Sequence, residues 1–284
     1  MVISIIPITA SASSDTNSKS VCVGGHNKVL VPEFAPTATK PGLTAGVTCS
    51  SCGTVILEQQ VIPALGTTEN SSGIVSGSCG TKATWTYNTE TGALIISGTG
   101  ATTKYKSTQA RPWEAYKDDI KSVVVNKGIT KIDNYAFRNF TNLMYVSLPD
   151  SLQEIGNYVF RYCSSLRSIV IPNSVYSVGS EVFSYCTNLL DVTIGNNVTT
   201  IGELMFNYCT SLTHVTLPEF VFYIYESAFA NCSNLKSVTI GENVSSIYNK
   251  AFIGCIFHCK TPWHLQPLAG LDPRGLGVGA GQHL

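Results

Sequence analysis

Four residues near the start of the chain have the types and spacing of a metal site. Cys22 and His26 are separated by three residues, and Cys49 and Cys52 by two, with Gly53 directly after them. A C-x-x-C-G knuckle can point two sulfurs at one zinc ion, and Cys22 with His26 would complete a tetrahedral structural site. A Cys49–Cys52 or Cys22–Cys52 disulfide in an oxidising compartment and unpaired thiols are the alternatives. Structural zinc is the one cofactor that the sequence proposes.

A second set of cysteines recurs every 23 residues: Cys163, Cys186, Cys209, Cys232 and Cys255. Stacked repeats would bring these sulfurs together, which raises the question of a metal or redox role. Phe140 occupies the same column one repeat earlier, however, and phenylalanine cannot ligate a metal. A small, apolar, buried side chain at a tight turn explains the column better.

A catalytic role finds little support in the remaining candidates. His214 and Asp191 would lie on adjacent strands and resemble an acid–base pair, but no nucleophile accompanies them and a flat sheet excludes little water. Phosphate-binding loops, nucleophile elbows and H-E-x-x-H motifs are not present in the sequence. We therefore predict that the chain is not an enzyme. Tyr162, Tyr185 and Tyr208 form another column, which is either a structural ladder or a stacking platform for a sugar.

These columns belong to a repeat of 23 residues without insertions, marked by phenylalanine at 137, 160, 183, 206, 229 and 252. Each unit follows L-x-x-V-x-I-P-x-x-V-x-x-I-G-x-x-x-F-x-x-C. The V-x-I step has the period of a short strand, proline or glycine then ends the strand, and the second apolar pair predicts another extended segment. The A/V-F-x-x-C piece predicts a tight helical turn. Stacked coils bury one another's apolar faces, so we predict a right-handed, mainly β repeat solenoid with six short parallel strand rungs.

The repeats resemble the BspA-type leucine-rich repeats of bacterial and protist surface proteins. The segment Ser165-Leu166-Arg167-Ser168-Ile169-Val170-Ile171-Pro172-Asn173-Ser174-Val175 matches that pattern almost letter for letter, and the resemblance covers about residues 120–255. Tyr225 and Tyr248 depart from it, because glycine is usual at this bend, and we expect the two bends to be distorted. The resemblance implies an extracellular adhesion or protein-binding role.

Recognition is expected on the outward strand positions, which vary while the buried columns repeat. The predicted binding residues are Tyr145, Ser168, Asp191, Thr193, His214, Thr216 and Ser237.

The chain divides into five predicted parts. Residues 1–14 contain an apolar stretch and the small residues Ala10-Ser11-Ala12, which indicate a truncated secretory signal. Residues 15–70 form a small Cys/His module with its linker, and residues 78–119 a β-hairpin cap that covers the apolar end of the first coil. Residues 120–256 are the repeats. Residues 257–284 share nothing with them and are predicted to be an aberrant or disordered tail.

Composition narrows the partners. Charged residues make up 13% of the chain, Lys+Arg and Asp+Glu both count 18, and hydrophobic residues make up 44%. The equal numbers of positively and negatively charged residues disfavour nucleic acid as a partner. No stretch has the roughly 20 apolar residues of a membrane span. We predict a secreted or cell-surface scaffold that binds an extracellular protein, such as a host matrix or surface protein. The alternatives are a glycan or cell-wall binding module and an accessory fragment of a larger secreted enzyme.

Overall fold

The computed structural model describes residues 28–31, 36, 40, 42–44, 46–49, 55–57, 59, 61–62 and 73–256. Its first five strands are β1 (Lys28–Val31), β2 (Gly42–Leu43), β3 (Gly46–Cys49), β4 (Val55–Leu57) and β5 (Val61–Ile62). Strand β3 pairs antiparallel with β1 and β4, and β2 pairs antiparallel with β5. The region predicted as a Cys/His module therefore contains two small antiparallel sheets.

Three antiparallel strands precede the repeats: β6 (Ile74–Ser78), β7 (Ala83–Asn88) and β8 (Ala93–Gly98). Strands β7 and β8 form the predicted hairpin, with Trp85 opposite Ile96. At its turn, Oδ1 of Asn88 accepts hydrogen bonds from the backbone N–H groups of Glu90 and Thr91, and Gly92 has a φ of 71°. Strand β6 begins before residue 78, where the sequence analysis placed the start of this region.

Two series of short strands build the solenoid. After β9 (Gly100–Ala101), the first series comprises β10 (Ser122–Val125), β12 (Tyr145–Ser147), β14 (Ser168–Val170), β16 (Asp191–Thr193), β18 (His214–Thr216) and β20 (Ser237–Thr239). The second comprises β11 (Ile129–Ile132), β13 (Glu154–Ile155), β15 (Ser177–Val178), β17 (Thr200–Ile201), β19 (Tyr223–Ile224) and β21 (Ser246–Ile247). Paired strands within each series are parallel and offset by 23 residues, as in Ser168 opposite Asp191. The predicted mainly β solenoid and its six strand rungs are confirmed.

The hairpin continues directly into the solenoid. Strand β8 pairs parallel with β10, and β9 pairs parallel with β11. The hairpin thus supplies a first rung whose other edge is already occupied by β7. An array of coils needs such an arrangement, because an uncovered first coil would leave its apolar end in water.

The core is a ladder of stacked phenylalanine rings along the axis of the solenoid. Phe160, Phe183, Phe206 and Phe229 are fully buried, and their neighbouring ring centroids lie 5.1–5.7 Å apart. Trp113 begins this ladder by stacking on Phe137 at 5.7 Å. Its indole Nε1 also donates a hydrogen bond to the Ala136 carbonyl at 3.0 Å.

The predicted helical turns are wrong. Within the part of the chain that the structure describes, the one helical segment is the 3-10 turn Glu114–Tyr116, outside the repeats. In the repeat turns, alternate N–H groups donate to the next coil, as from Phe137 to the Val159 carbonyl at 3.0 Å. Two residues per coil have positive φ, such as Tyr158 at 63° and Tyr162 at 65°. As a result, alternate N–H groups point along the solenoid axis. In an α-helix they would point to the carbonyl four residues earlier.

The bend at Tyr225 is not distorted, contrary to our expectation. Its N–H donates to the Ile201 carbonyl at 2.9 Å, as the N–H of Gly179 does to Ile155 at 2.8 Å. A Cβ at Gly179 would lie 2.2 Å from Oδ1 of Asn157, so glycine there provides room beside an asparagine. At the bend of Tyr225, the residue that corresponds to Asn157 is Glu203 of the preceding coil. Without the asparagine, the bend accommodates tyrosine.

No helix among the residues that the structure describes is long and apolar enough to cross a membrane.

Candidate binding face

An open depression lies on the outer side of the first strand series, between β16 and β18. Its volume is about 510 Å³, and its lining combines strand and turn residues: Asp191, Val192, Thr193, Ile194, Asn196, His214, Thr216, Leu217, Pro218 and Glu219. Strands β14 and β16 form one two-stranded sheet and β18 and β20 another, so the depression lies where two sheets meet. The coil framework positions its walls, because Val192 and Val215 point into the core from the same strands.

The structure brings four of the seven predicted binding residues together at this depression: Asp191, Thr193, His214 and Thr216. Ser237 follows on β20 and is half-buried. Tyr145 and Ser168 lie at the equivalent position of β12 and β14 but are only 6% and 7% exposed. The expectation that this column is exposed along its whole length therefore fails at the first two of its five positions.

The depression has polar walls and an apolar base. Ile194 and Leu217 at its base are 6% and 4% exposed. Asn196 and Glu219 come from the turns that follow the two strands. We did not predict these turn residues, although their position directly after the strand-ending column is visible in the sequence. Such a lining can hold a side chain of a partner by apolar contact and hydrogen bonds at the rim.

Burial raises the pKa of Asp191 from its ordinary value of 3.8, and a hydrogen bond from the Val192 backbone opposes this shift. Its carboxylate is thus a partly desolvated acceptor. His214 is exposed, with Nδ1 3.0 Å from the Thr213 hydroxyl. An open depression gives these two groups little of the water exclusion that acid–base catalysis uses, so the arrangement suits binding.

The tyrosine column forms a ladder with its ring faces against one another. Tyr162, Tyr185 and Tyr208 stack with centroids 4.7 Å apart. The Arg161 guanidinium lies 4.8 Å from the Tyr162 ring centroid, and its Nε lies 3.1 Å from Glu181 Oε2. Because the rings cover one another and the arginine covers one end, the column is better explained as packing than as a platform for a sugar.

The repeated cysteines connect the turns of neighbouring coils by hydrogen bonds. Each thiol donates to the carbonyl of the phenylalanine 26 residues earlier, at 3.0–3.3 Å, as from Cys186 to Phe160. Burial raises the pKa of Cys163 to about 12 and that of Cys186 well above its usual value. A protonated, buried thiol that donates to a carbonyl explains why the column prefers cysteine to another small residue.

We expect Cys163, Cys186 and Cys209 to resist thiol reagents in the folded protein at pH 8, because all three are buried and protonated. Iodoacetamide labelling followed by peptide mass spectrometry would measure this site by site. The same peptides should label fully in urea, which is the control. Rapid labelling of Cys186 under native conditions would contradict the packing described above.

The predicted zinc ligands Cys22, His26 and Cys52 lie outside the described residues. Of Cys49 the structure describes the backbone alone, as the last residue of β3. The zinc site stays a prediction.

The fold and the repeated columns define a leucine-rich-repeat solenoid, a class of scaffold that commonly binds proteins. The family model of the BspA type leucine rich repeat region matches residues 115–232 with six copies. These residues of the chain are therefore BspA-type leucine-rich repeats, and the predicted resemblance is confirmed.

Solved structures with similarity to the chain are bacterial leucine-rich-repeat proteins. A leucine-rich-repeat protein of T. pallidum is 29% identical, with 60% of this chain and 85% of that chain covered and a TM-score of 0.49. A leucine rich cell surface protein from Faecalibacterium prausnitzii is 30% identical, with 66% and 54% covered and a TM-score of 0.48. Among curated proteins, none matches the chain.

Proposed function

We propose that the chain is an extracellular protein-binding scaffold that acts in adhesion and recognises its partner through the depression between β16 and β18. One observation carries this proposal: the polar outward positions Asp191, Thr193, His214 and Thr216 converge on one open depression, and the column of Asp191 and His214 changes from coil to coil. The inward residues of the same strands are apolar and repeat from coil to coil. Residues on a repetitive framework that vary and face solvent are the ones free to specify a partner.

The shape of the depression favours a protein partner. It is open, and its lining combines polar groups with the apolar residues Ile194 and Leu217, as in a protein interface that has an apolar core and a polar rim. The extracellular location rests on the resemblance of the repeats to surface proteins.

The test measures binding of the full chain to immobilised extracellular-matrix proteins and cell-wall glycans by biolayer interferometry. The variant Asp191→Asn, Thr193→Ala, His214→Ala, Thr216→Ala should weaken saturable binding to a protein by at least tenfold, as expected when central interface residues are lost. Asp191→Asn should not destabilise the fold. Because the pKa of the Asp191 carboxyl is raised in the folded protein, ionisation of this carboxyl disfavours folding at pH values above its ordinary pKa. Asparagine removes that charge.

The matched control is Val170→Ala with Thr239→Ala, which changes exposed residues of the same strand series outside the lining. It should bind within twofold of the unaltered protein. Equal binding by the fourfold variant would refute the assignment of this face, and binding confined to glycans would refute the protein partner.

A further inference from the structure

The coil that contains β19, with one residue of the next coil, exposes a group of aromatic side chains that the preceding coil lacks at the equivalent positions. We call Phe220, Phe222, Tyr223, Tyr225 and Tyr248 the aromatic patch. These side chains are 38–52% exposed. In the preceding coil the positions equivalent to the first four are Asn197, Thr199, Thr200 and Gly202. The repeat fold therefore does not require aromatic residues there, and their exposure calls for a role other than packing.

The patch lies on the second strand series, at β19 and β21, whereas the proposed binding depression lies on the first. Three of its five rings contact one another. Tyr225 and Tyr248 stack with centroids 5.0 Å apart and planes 8° apart. Tyr223 lies 6.2 Å from Tyr225 at a tilt of 44°. An ordered aromatic surface loses little side-chain entropy when a partner binds.

The charge around the patch is negative. Residues 203–250 carry four glutamates and two lysines, whereas residues 73–202 carry eleven Lys and Arg against nine Asp and Glu. Glu226 follows Tyr225, and Glu203 occupies the same column one coil earlier. Both are exposed, and within residues 73–256 neither makes an ion pair. Adjacent coils lie about 4.8 Å apart, so a cation between these like charges would be favoured.

The chain contains its own example of how such a surface holds a cation. Arg161 lies over Tyr158 and Tyr162, at 5.7 and 4.8 Å from their centroids, and pairs with Glu181. The aromatic patch combines the same elements, stacked tyrosines beside glutamates, without an arginine over its rings among the described cation–aromatic contacts. Arginine prefers such sites because its planar group stacks on rings while it bonds to carboxylates.

We infer that the aromatic patch is a second docking surface, which takes a cationic, arginine-bearing segment of a protein partner. A neutral apolar partner would cover the Glu203 and Glu226 carboxylates without pairing them, at a desolvation cost. A sugar ring could stack on the outer faces of Tyr225 and Tyr248 but would leave both carboxylates without a positive charge to pair with. A guanidinium can stack on the tyrosine rings and form hydrogen bonds to the carboxylates.

The test uses the full chain and two fluorescein-labelled peptides, one of alternating arginine and glycine and one with citrulline in place of arginine. Fluorescence anisotropy should show at least tenfold tighter binding of the arginine peptide at 50 mM NaCl, weakening at 300 mM. The variant Phe220→Asn, Phe222→Thr, Tyr223→Thr, Tyr225→Gly introduces residues of the preceding coil, so it should fold. Its affinity for the arginine peptide should be at least tenfold lower than that of the unaltered protein.

Two further variants keep the inference falsifiable. Glu203→Gln with Glu226→Gln leaves the rings in place and should remove most of the salt dependence. Tyr176→Ser is the control, because Tyr176 is a single aromatic residue, 53% exposed, in the column of Phe222, and its loss should change nothing. Equal binding of the citrulline peptide, or full binding by the fourfold patch variant, would overturn the inference. The fourfold variant of the β16–β18 depression should bind the arginine peptide normally, which separates this test from that of the proposed function.

Discussion

Replacing Phe183 with alanine is expected to lower the free energy of unfolding by about 3–5 kcal/mol, the usual cost of removing a buried aromatic ring from a core. Phe183 is fully buried and stacks on Phe160 at 5.7 Å and on Phe206 at 5.5 Å. Coils on both sides hold the cavity open, since they are tied to this coil by backbone hydrogen bonds. Urea unfolding followed by circular dichroism would measure the change.

The matched control for Phe183 is Phe252→Ala in the last described coil. Phe252 belongs to the same column and stacks on Phe229 at 5.3 Å, but it is only partly buried. Its loss should cost less than half as much, because less apolar area is exposed. Equal effects of the two substitutions would mean that the full burial of Phe183 adds nothing to stability over the partial burial of Phe252, contrary to this expectation.

Trp113→Ala is the second change with a large expected effect, also about 3–5 kcal/mol. The indole stacks on Phe137, contacts Trp85 edge to face at 6.0 Å and donates to the Ala136 carbonyl. Its loss opens the junction between the β6–β8 strands and the coils. Amide hydrogen exchange should show faster exchange in β7 and β8 than in β14 and β16.

Trp113→Phe separates the two contributions of the indole. Phenylalanine keeps the stacking on Phe137 but leaves the Ala136 carbonyl without its donor, so the expected cost is about 1–2 kcal/mol. If Trp113→Ala were no more destabilising than Trp113→Phe, the aromatic junction would not be what joins the hairpin to the solenoid.

The solenoid could be predicted because its stabilising residues recur at a fixed interval. Leu166, Ile169 and Phe183 belong to columns in which almost every member is apolar and buried. Two such columns that lie two residues apart are compatible with a strand. The identical spacing of the repeats fixes the strand register at 23 residues. Family resemblance then agreed with what the columns indicated.

The turns could not be predicted from residue types. Tyr158 and Glu181 occupy the same left-handed position, although neither residue favours positive φ, a conformation that costs about 1–2 kcal/mol for most side chains. Hydrogen bonds between coils offset that cost, and these bonds are invisible in any single repeat. The A/V-F-x-x-C pattern therefore resembled a helical turn although the backbone follows another course.

The binding face was predictable in part. Asp191, Thr193, His214 and Thr216 converge as alternation along the strands implied, but alternation gives the direction of a side chain and not its exposure. Tyr145 and Ser168 occupy the same strand position as Asp191 and His214 and are nevertheless buried. The aromatic patch escaped prediction as a surface, although Tyr225 and Tyr248 stood out at the glycine bend, because the columns of its other residues vary between coils.

The bonding of each coil to its neighbours, with partners only one repeat apart, also sets how the molecule responds to a pulling force. A 23-residue coil adds about 4.8 Å to the length of the folded stack but about 75–80 Å once it is drawn out straight. Since interactions are strongest between nearest neighbours, coils would detach one after another from an end. A tether of this construction would lengthen in equal steps under load and dissipate energy at each one.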